Sequence, residues 1–175
     1  MAAVTVEIVA AEGRPDPPGA ELTYVVCNGG DAPAWVVDDG WLAWRQEDRR
    51  LELGYARVPM QPGVEPFGYF SPQVAPLAPG AELTRTVTLS WPQRLDGMWN
   101  AGPSAAPPPG EYTVVVRIGY GETPEPGPPA AGEGVESPVL AWQREAVSEP
   151  VPLTVAAPKV PGPGRASIES SEDAR

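Results

Sequence analysis

Gly-Glu-Tyr-Thr-Val-Val-Val-Arg-Ile-Gly-Tyr, residues 110–120, is the stretch that decides the fold class of this chain. Every second side chain from Tyr112 to Ile118 is apolar, and a period of two is typical of a strand with one buried face. The stretch follows Pro109, and a Pro-Gly pair favours a turn. It therefore predicts a β-strand whose inward side chains belong to the core.

Shorter segments with similar alternation lie on both sides of this strand, separated by turn residues. The other predicted strands are residues 3–10, 20–28, 33–37, 41–46, 50–55, 68–70, 82–91, 139–146 and 150–156. The longest stretch without Pro or Gly runs from Trp41 to Leu53, and its polar middle favours a hairpin turning at Glu47-Asp48 over a short helix. The chain thus predicts an all-β fold, an immunoglobulin-like antiparallel β-sandwich of about nine strands with little or no helix.

The 25 Pro and 19 Gly are expected to end strands rather than to join them. Residues 12–19 contain three prolines, which have no N–H for a ladder, so they predict a break. Residues 28–31, Asn-Gly-Gly-Asp, predict a turn because Asn and Gly both accept positive φ. Pro150 and Pro152 predict that residues 150–156 form an edge strand or pair only from Leu153 onward.

Length and charge limit the classes of partner. The length fits one domain, predicted at residues 1–156, followed by a disordered tail rich in Pro, Gly and Ser at residues 157–175. The net charge of −11 disfavours nucleic acid and anionic lipid, and no apolar run is long enough for membrane insertion. Residues 3–10 include Glu7 and predict a strand rather than a signal peptide, so the expected location is cytoplasmic.

Residue types exclude much catalytic chemistry. The chain has no His and one Cys, Cys27, which removes His-based triads and leaves Cys27 as an expected core or near-core residue. The adjacent carboxylates of residues 38–39 and 47–48 would point to opposite faces of a strand, so turn formation explains them better than a catalytic pair. No spacing typical of a calcium site is present. We expect no enzyme activity, no cofactor and no metal.

Aromatic side chains are the remaining candidates for function. Trp41 and Trp44 would lie on opposite sides of a strand, so both cannot face the core. Met98 and Trp99 lie in a long predicted loop, where exposed apolar groups suit a partner site. These four residues are the predicted binding residues, with a protein as the expected partner. Residues 49–50, two arginines, are interpreted as a solvated turn, with contact to an acidic partner as the alternative.

Three segments, residues 22–33, 75–89 and 108–120, resemble bacterial immunoglobulin-like accessory domains. They contain a strand ending in Asn, a Leu-x-Pro-Gly turn before a Thr-rich strand, and Pro-Gly-x-Tyr-x-Val. The order of elements is similar to that of the intracellular proteinase inhibitor family of bacilli. A group of bacterial proteins without assigned function, many of them lipoproteins, is more similar still and shares strands like residues 117–120 and 142–144. The resemblance covers roughly residues 20–155, and because its motifs are turns and strands it implies a fold and not an activity.

Composition and resemblance together predict a non-enzymatic protein-binding or accessory module. One alternative is an intracellular proteinase inhibitor that acts through an exposed loop, at residues 57–66 or 92–109. Another is a structural component of a larger assembly, which predicts an exposed apolar patch and association in solution.

Overall fold

The computed structural model describes residues 1, 3–38, 43–56, 73–91, 106–125 and 138–157, with only the backbone of Ala43, Trp44 and Pro138. These residues form an all-β fold with one short helix. In chain order the elements are β1 (Val4–Pro15), β2 (Pro18–Asn28), β3 (Ala34–Val37), β4 (Ala43–Glu47), β5 (Arg50–Tyr55), β6 (Val74–Leu77), β7 (Glu82–Ser90), β8 (Gly110–Gly121), α1 (Pro138–Trp142), β9 (Arg144–Val147) and β10 (Val151–Val155).

The strands form two sheets. The smaller sheet has the order β1-β2-β7, and both of its ladders are antiparallel. The larger sheet is centred on β8, with β5 and β3 along one side of it and β9 and β10 along the other. β4 extends it beyond β5, and β6 extends it beyond β3. The inner faces share one apolar core, so the sequence-based prediction of an all-β sandwich is confirmed.

Alternation decides which side chains enter the core. In β8 Tyr112, Val114, Val116 and Ile118 are all buried, as predicted from the sequence. The smaller sheet contributes the inward side chains of β1 and β2, which are Val4, Val6, Ile8, Leu22, Tyr24 and Val26. In β7 the threonines face outward, and the inward row is apolar apart from Arg85. Period-two patterning therefore places nearly all of the core.

One pairing departs from the predicted antiparallel arrangement. β5 runs parallel to β8, with Arg50 beside Thr113 and Tyr55 beside Ile118. A parallel neighbour needs a long connection rather than a tight turn, and 54 residues separate the two strands. The β4–β5 hairpin itself is confirmed, with its turn at Asp48 and Arg49.

The proline-rich residues 12–19 do not break the sheet, which corrects the prediction. β1 and β2 form one hairpin whose register continues through Glu12 and Glu21 to Pro15 opposite Pro18. Prolines at the hairpin end are tolerated because the outermost pair of a ladder needs few donors. The interruption lies elsewhere, at Val9, where a bulge shifts the register between Ile8 and Ala10.

The turn at residues 28–31 forms, but for a different reason from the predicted one. Asn28 is fully buried, and positive φ is found at Asp48, Gly80 and Gly110 rather than in this turn. The Asn28 Nδ2 group donates to the carbonyl oxygens of Ala32 (2.8 Å) and Leu77 (2.9 Å), and Oδ1 accepts from Gly30 N–H (3.1 Å). The Asn28 side chain therefore ties the end of β2 to β6 of the other sheet.

Two elements were assigned wrongly from the sequence. Residues 139–146 were predicted as one strand, but α1 occupies the first part and β9 the rest. The helix lets the Trp142 ring lie on Gly121, where a Cβ would come within 2.1 Å of the ring. β6 was not predicted from the sequence. It contains Pro76, which is tolerated because β6 is an edge strand among the described residues.

Of the two predictions for the last strand, the edge strand is confirmed. Among the described residues β10 pairs with β8 alone, and it does so from Val151 onward rather than from Leu153. Between β9 and β10, Ser148 is buried, and its hydroxyl accepts the N–H of Val116 (3.0 Å) while its own N–H donates to Val116 O (2.9 Å). Ser148 thus maintains hydrogen bonding to β8 where the two short strands are interrupted.

No helix among the described residues is long and apolar enough to cross a membrane. The predicted tail, residues 157–175, and the predicted strand at residues 68–70 lie outside the described residues except for Ala157.

Cys27 is not a core residue as expected, because it faces outward from β2, half-exposed, beside Glu82 of β7.

Candidate protein-binding groove

The binding residues predicted from the sequence cannot be placed. Trp41, Met98 and Trp99 lie outside the described residues, and only the backbone of Trp44, in β4, is described. Loop 57–66 also lies outside them, as does loop 92–109 up to residue 105.

An open groove of about 500 Å³ lies where the tip of the β4–β5 hairpin meets the start of β8. We call it the hairpin groove. Its lining residues come from the hairpin turn and from the first residues of β8: Glu47, Asp48, Arg49, Arg50, Glu111, Tyr112 and Thr113. All of them are exposed except Tyr112, which is buried and forms the floor.

The hairpin tip is fixed to β8 by backbone geometry. Asp48 has φ of 50°, a conformation that Asp adopts more readily than most residues and that turns the chain tightly after β4. The Arg49 carbonyl then accepts the N–H of Thr113 (2.9 Å), the first contact before the parallel β5–β8 ladder. The turn is therefore held in one position relative to β8.

The motif Pro-Gly-x-Tyr at residues 109–112 builds the floor. The Tyr112 hydroxyl donates to the carbonyl oxygen of Pro108 (2.9 Å), four residues upstream, in the manner of the tyrosine corner of β-sandwiches. The Arg49 guanidinium lies over the Tyr112 ring, 4.9 Å from its centroid, and donates to Pro109 O (3.4 Å). Gly110 leaves room for it, because a Cβ there would come within 2.8 Å of Arg49 Nη1, and φ at Gly110 is 140°.

The charges around the groove are not equally available to a partner. Arg49 is held on Tyr112, and the Arg50 guanidinium lies 4.0 Å from the Glu52 carboxylate. Both Glu111 oxygens lie within hydrogen-bond distance of the Thr154 hydroxyl (2.9 and 3.1 Å). Glu47 and Asp48 are exposed and form no ion pair with a described residue. The charged side chains of the lining, three acidic and two basic, therefore sum to a formal charge of −1, and Glu47 and Asp48 are its carboxylates without a described hydrogen-bond or ion-pair partner.

A cluster of ion pairs lies beside the groove, on the outer face of the larger sheet. Arg117 donates to Glu52 (Nε to Oε1, 2.9 Å) and also to Glu145, and Arg45 lies 3.4 Å from Glu52. Partial burial pushes the pKa of Glu52 up, but the hydrogen bond and charge of Arg117, with the charges of Arg45 and Arg50, outweigh it. The pKa of Glu52 therefore lies below its ordinary value. These charges are used within the fold.

The other candidate groups are also used internally. Asp38, one of the predicted turn carboxylates, forms a two-point ion pair with Arg85, with Nε to Oδ1 at 2.9 Å. Asp39 lies outside the described residues. The Cys27 thiol donates to Glu82 (3.2 Å), which raises its pKa above the ordinary thiol value. Within the described ranges, no three His, Cys, Asp or Glu residues cluster closely enough to hold a metal ion.

Sequence reasoning missed the hairpin groove although it identified its parts. The β4–β5 turn and the inward Tyr112 were both predicted, but the parallel β5–β8 pairing that brings them together was not. No local pattern reports that pairing, because 60 residues separate Arg49 from Pro109. The available signal was the Pro-Gly-x-Tyr motif, which was interpreted as a turn before a strand and as part of the resemblance to immunoglobulin-like domains.

Comparison of the chain with family models, curated proteins and solved structures gave no match. The resemblance to bacterial immunoglobulin-like domains and to the proteinase inhibitors stays a prediction.

Proposed function

We propose that this chain is a non-enzymatic protein-binding module of the immunoglobulin-like type, and that its hairpin groove receives a basic segment of a protein partner. The observation that carries the proposal is that the charged side chains at the groove differ in their partners within the fold. The Arg49 guanidinium lies over Tyr112 and that of Arg50 lies 4.0 Å from Glu52, whereas Glu47 and Asp48 are exposed and form no ion pair with a described residue.

The overall charge supports a basic partner. The chain has 23 acidic and 12 basic residues. A surface with that excess attracts positively charged proteins over distances of several ångströms and speeds their association at low salt. The groove then offers a local site at which a Lys or Arg side chain can pair with the rim carboxylates.

Shape also supports the proposal. The groove is open rather than enclosed, its floor is a buried aromatic ring, and its walls are held by hydrogen bonds. A fixed surface of this kind suits an extended peptide segment, since little conformational entropy is lost from the receptor side on binding. The immunoglobulin-like assignment is supported by the sandwich and by the Tyr112–Pro108 contact.

A hexa-arginine peptide titrated into the isotopically labelled protein is the first test. We expect amide shifts concentrated at residues 47–50 and 111–113, and an apparent affinity that falls steeply with added salt. The double variant Glu47→Gln/Asp48→Asn removes the two rim charges and keeps a residue that tolerates positive φ at position 48. It should weaken peptide binding by about fivefold, since two exposed ion pairs contribute about 0.5 kcal/mol each.

The matched control is Glu7→Gln/Glu21→Gln, which removes the same charge from the outer face of the smaller sheet. If the control weakens binding as much as the rim variant does, attraction is due to net charge alone and the groove is not the site. The same pair of variants then serves for partner capture from cells. A basic protein retained by the wild type and the control, but lost from the rim variant, is the expected result.

A further inference from the structure

The free edge of the smaller sheet is the second surface that the fold leaves available, and it is independent of the hairpin groove. Within the described part of the chain, β7 pairs with β2 alone. The strand runs for nine residues with a continuous register and contains no Pro, Gly or Lys. Such an edge exposes a row of unpaired N–H and C=O groups.

Hydrogen bonds at the two ends of β7 fix which backbone groups face outward. Asn28 N–H donates to Ala81 O (3.0 Å), and Trp91 N–H donates to Pro18 O (2.8 Å), both in the β2–β7 register. Odd-numbered residues of β7 therefore bond to β2, because bonded positions alternate along an antiparallel ladder. The N–H and C=O groups of the even-numbered residues, from Glu82 to Ser90, point away from the sheet.

Three of the other described edge strands are protected. β1 has a bulge at Val9, and its far end lies against β10, where a Cβ on Gly13 would come within 1.8 Å of Thr154 O. β6 has Pro76 in a strand of only four residues. β4 has five residues and ends in charged side chains. Bulges, prolines, short strands and charges are the usual means of preventing edge pairing, and β7 has only charges, those of Glu82 at its first position and of the inward Arg85.

The Arg85 charge does not close the edge. Its guanidinium is paired with Asp38, so it brings no net charge, and it donates to the outward carbonyl of Thr84 (3.1 Å). A carbonyl oxygen accepts two hydrogen bonds, so Thr84 O can still receive an N–H from a neighbouring strand.

We propose that β7 pairs with β7 of a second copy of this chain, antiparallel and centred on Thr86. In that register Thr84 lies opposite Thr88, Glu82 opposite Ser90, and Leu83 opposite Leu89, with no like charges opposite each other. The half-exposed Leu83 and Val87 gain apolar or aliphatic neighbours, and the two sheets become one six-stranded sheet.

Threonine favours this partner over an arbitrary strand. Thr86 already forms a hydroxyl contact with Thr23 across β2–β7 (2.9 Å), which is the pairing that Thr residues make across strands. Self-pairing continues the same rows of Thr side chains into the second copy. The centre also falls on an outward-bonding residue, so Thr86 and its counterpart exchange both backbone hydrogen bonds.

Sedimentation of the wild type between about 5 µM and 500 µM, a range in which modest interfaces assemble, tests the proposal. We expect a monomer–dimer equilibrium. Thr86→Lys and Thr86→Glu each place like charges opposite each other at the dimer axis, so each alone should weaken dimerisation at least tenfold. Mixing the two variants should restore a dimer. Thr5→Lys, the same change on an exposed residue of β1, should leave the dimer unchanged.

A wild type that stays monomeric over this range, or a dimer that Thr86→Lys does not weaken, would overturn the proposal. Circular dichroism shows whether each variant folds. If a variant does not fold, the interface is located instead by NMR on wild-type protein in which isotopically labelled and unlabelled copies are mixed, so that contacts between copies are seen separately. An Hα–Hα contact between Arg85 of one copy and Val87 of the other is then expected, and its absence from a dimeric sample would place the interface elsewhere.

Discussion

The two sheets of this sandwich treat their charges and backbone groups differently. The larger sheet surrounds β8 with four neighbours and joins its outer charges in ion pairs centred on Glu52 and Arg117. The smaller sheet has only three strands, its outer face has threonine and few ion pairs, and its β7 edge has no described neighbour. The comparison indicates that the larger sheet stabilises the molecule, whereas the smaller sheet leaves backbone groups available to another chain.

The largest effect is expected where the two sheets are joined. Asn28→Ala removes an amide that serves three backbone groups, those of Gly30, Ala32 and Leu77. Each group left unpaired costs about 1–3 kcal/mol, so a loss of about 3–5 kcal/mol is expected in the free energy of unfolding. Urea denaturation measures it. A loss below about 1 kcal/mol would mean that water replaces the amide without cost and that the junction is not held in this way.

The next largest effect on stability is expected at β1, the edge of the smaller sheet that lies against β10. Gly13→Ala places a Cβ against the Thr154 carbonyl, a backbone group that cannot move without disturbing β10. We expect a loss of about 2–4 kcal/mol, typical of overpacking against backbone. Gly29→Ala is the matched control, because its nearest neighbour would lie 3.8 Å away, and it should cost less than about 1 kcal/mol. Equal losses in thermal denaturation would argue against the close approach of β1 and β10.

A smaller effect is expected from the ion pairs of the larger sheet. Glu52→Gln leaves Arg117 with Glu145 alone and should cost about 1–2 kcal/mol at pH 7. The pKa of Glu52 is lower in the folded state than the ordinary 4.5, so its stabilising effect is fully present above that value. It is lost as the pH falls through the folded-state pKa.

The pH dependence separates a charge effect from a packing effect. Denaturation midpoints of wild type and Glu52→Gln should differ at pH 7 and approach each other as the pH falls below 4.5. A difference that stays constant down to pH 3 would show that the carboxylate charge is not what stabilises the sheet.

The smallest effect on stability is expected at the open edge. Thr86→Val keeps a β-branched residue and removes only an exposed hydroxyl contact with Thr23. It should change the unfolding free energy of the dilute protein by less than about 0.5 kcal/mol. A larger loss would indicate that the β7 edge is already covered within one copy, which would weaken the contrast between the two sheets.

The sequence predicts the fold well where pairing is local and poorly where it is distant. Alternation identifies β8, β7 and the inward residues of β1 and β2, because a strand with one buried face has a period of two. The parallel β5–β8 pair is not predictable from alternation, since period two does not specify the neighbour. The β1–β2 hairpin also extends past prolines that local rules would exclude.

The candidate site was less predictable than the fold. The sequence predicts that Trp41, Trp44, Met98 and Trp99 bind a partner, because exposed aromatic and other large apolar groups are common in interfaces, and this stays a prediction. The hairpin groove instead depends on which charges are used internally, and that is decided by tertiary contacts such as Arg49 on Tyr112. No sequence pattern distinguishes a paired arginine from an available one.

Amide hydrogen exchange at two protein concentrations tests the open β7 edge most directly. We expect Thr84, Thr86 and Thr88 to exchange rapidly in dilute solution, since their N–H groups point away from β2, and to become protected when the protein is concentrated. Leu83 and Val87 should be protected at both concentrations. Rapid exchange of the three threonines at both concentrations would contradict pairing with a second copy. Protection at both concentrations, kept in the Thr86→Lys variant, would mean that the edge is covered within the monomer.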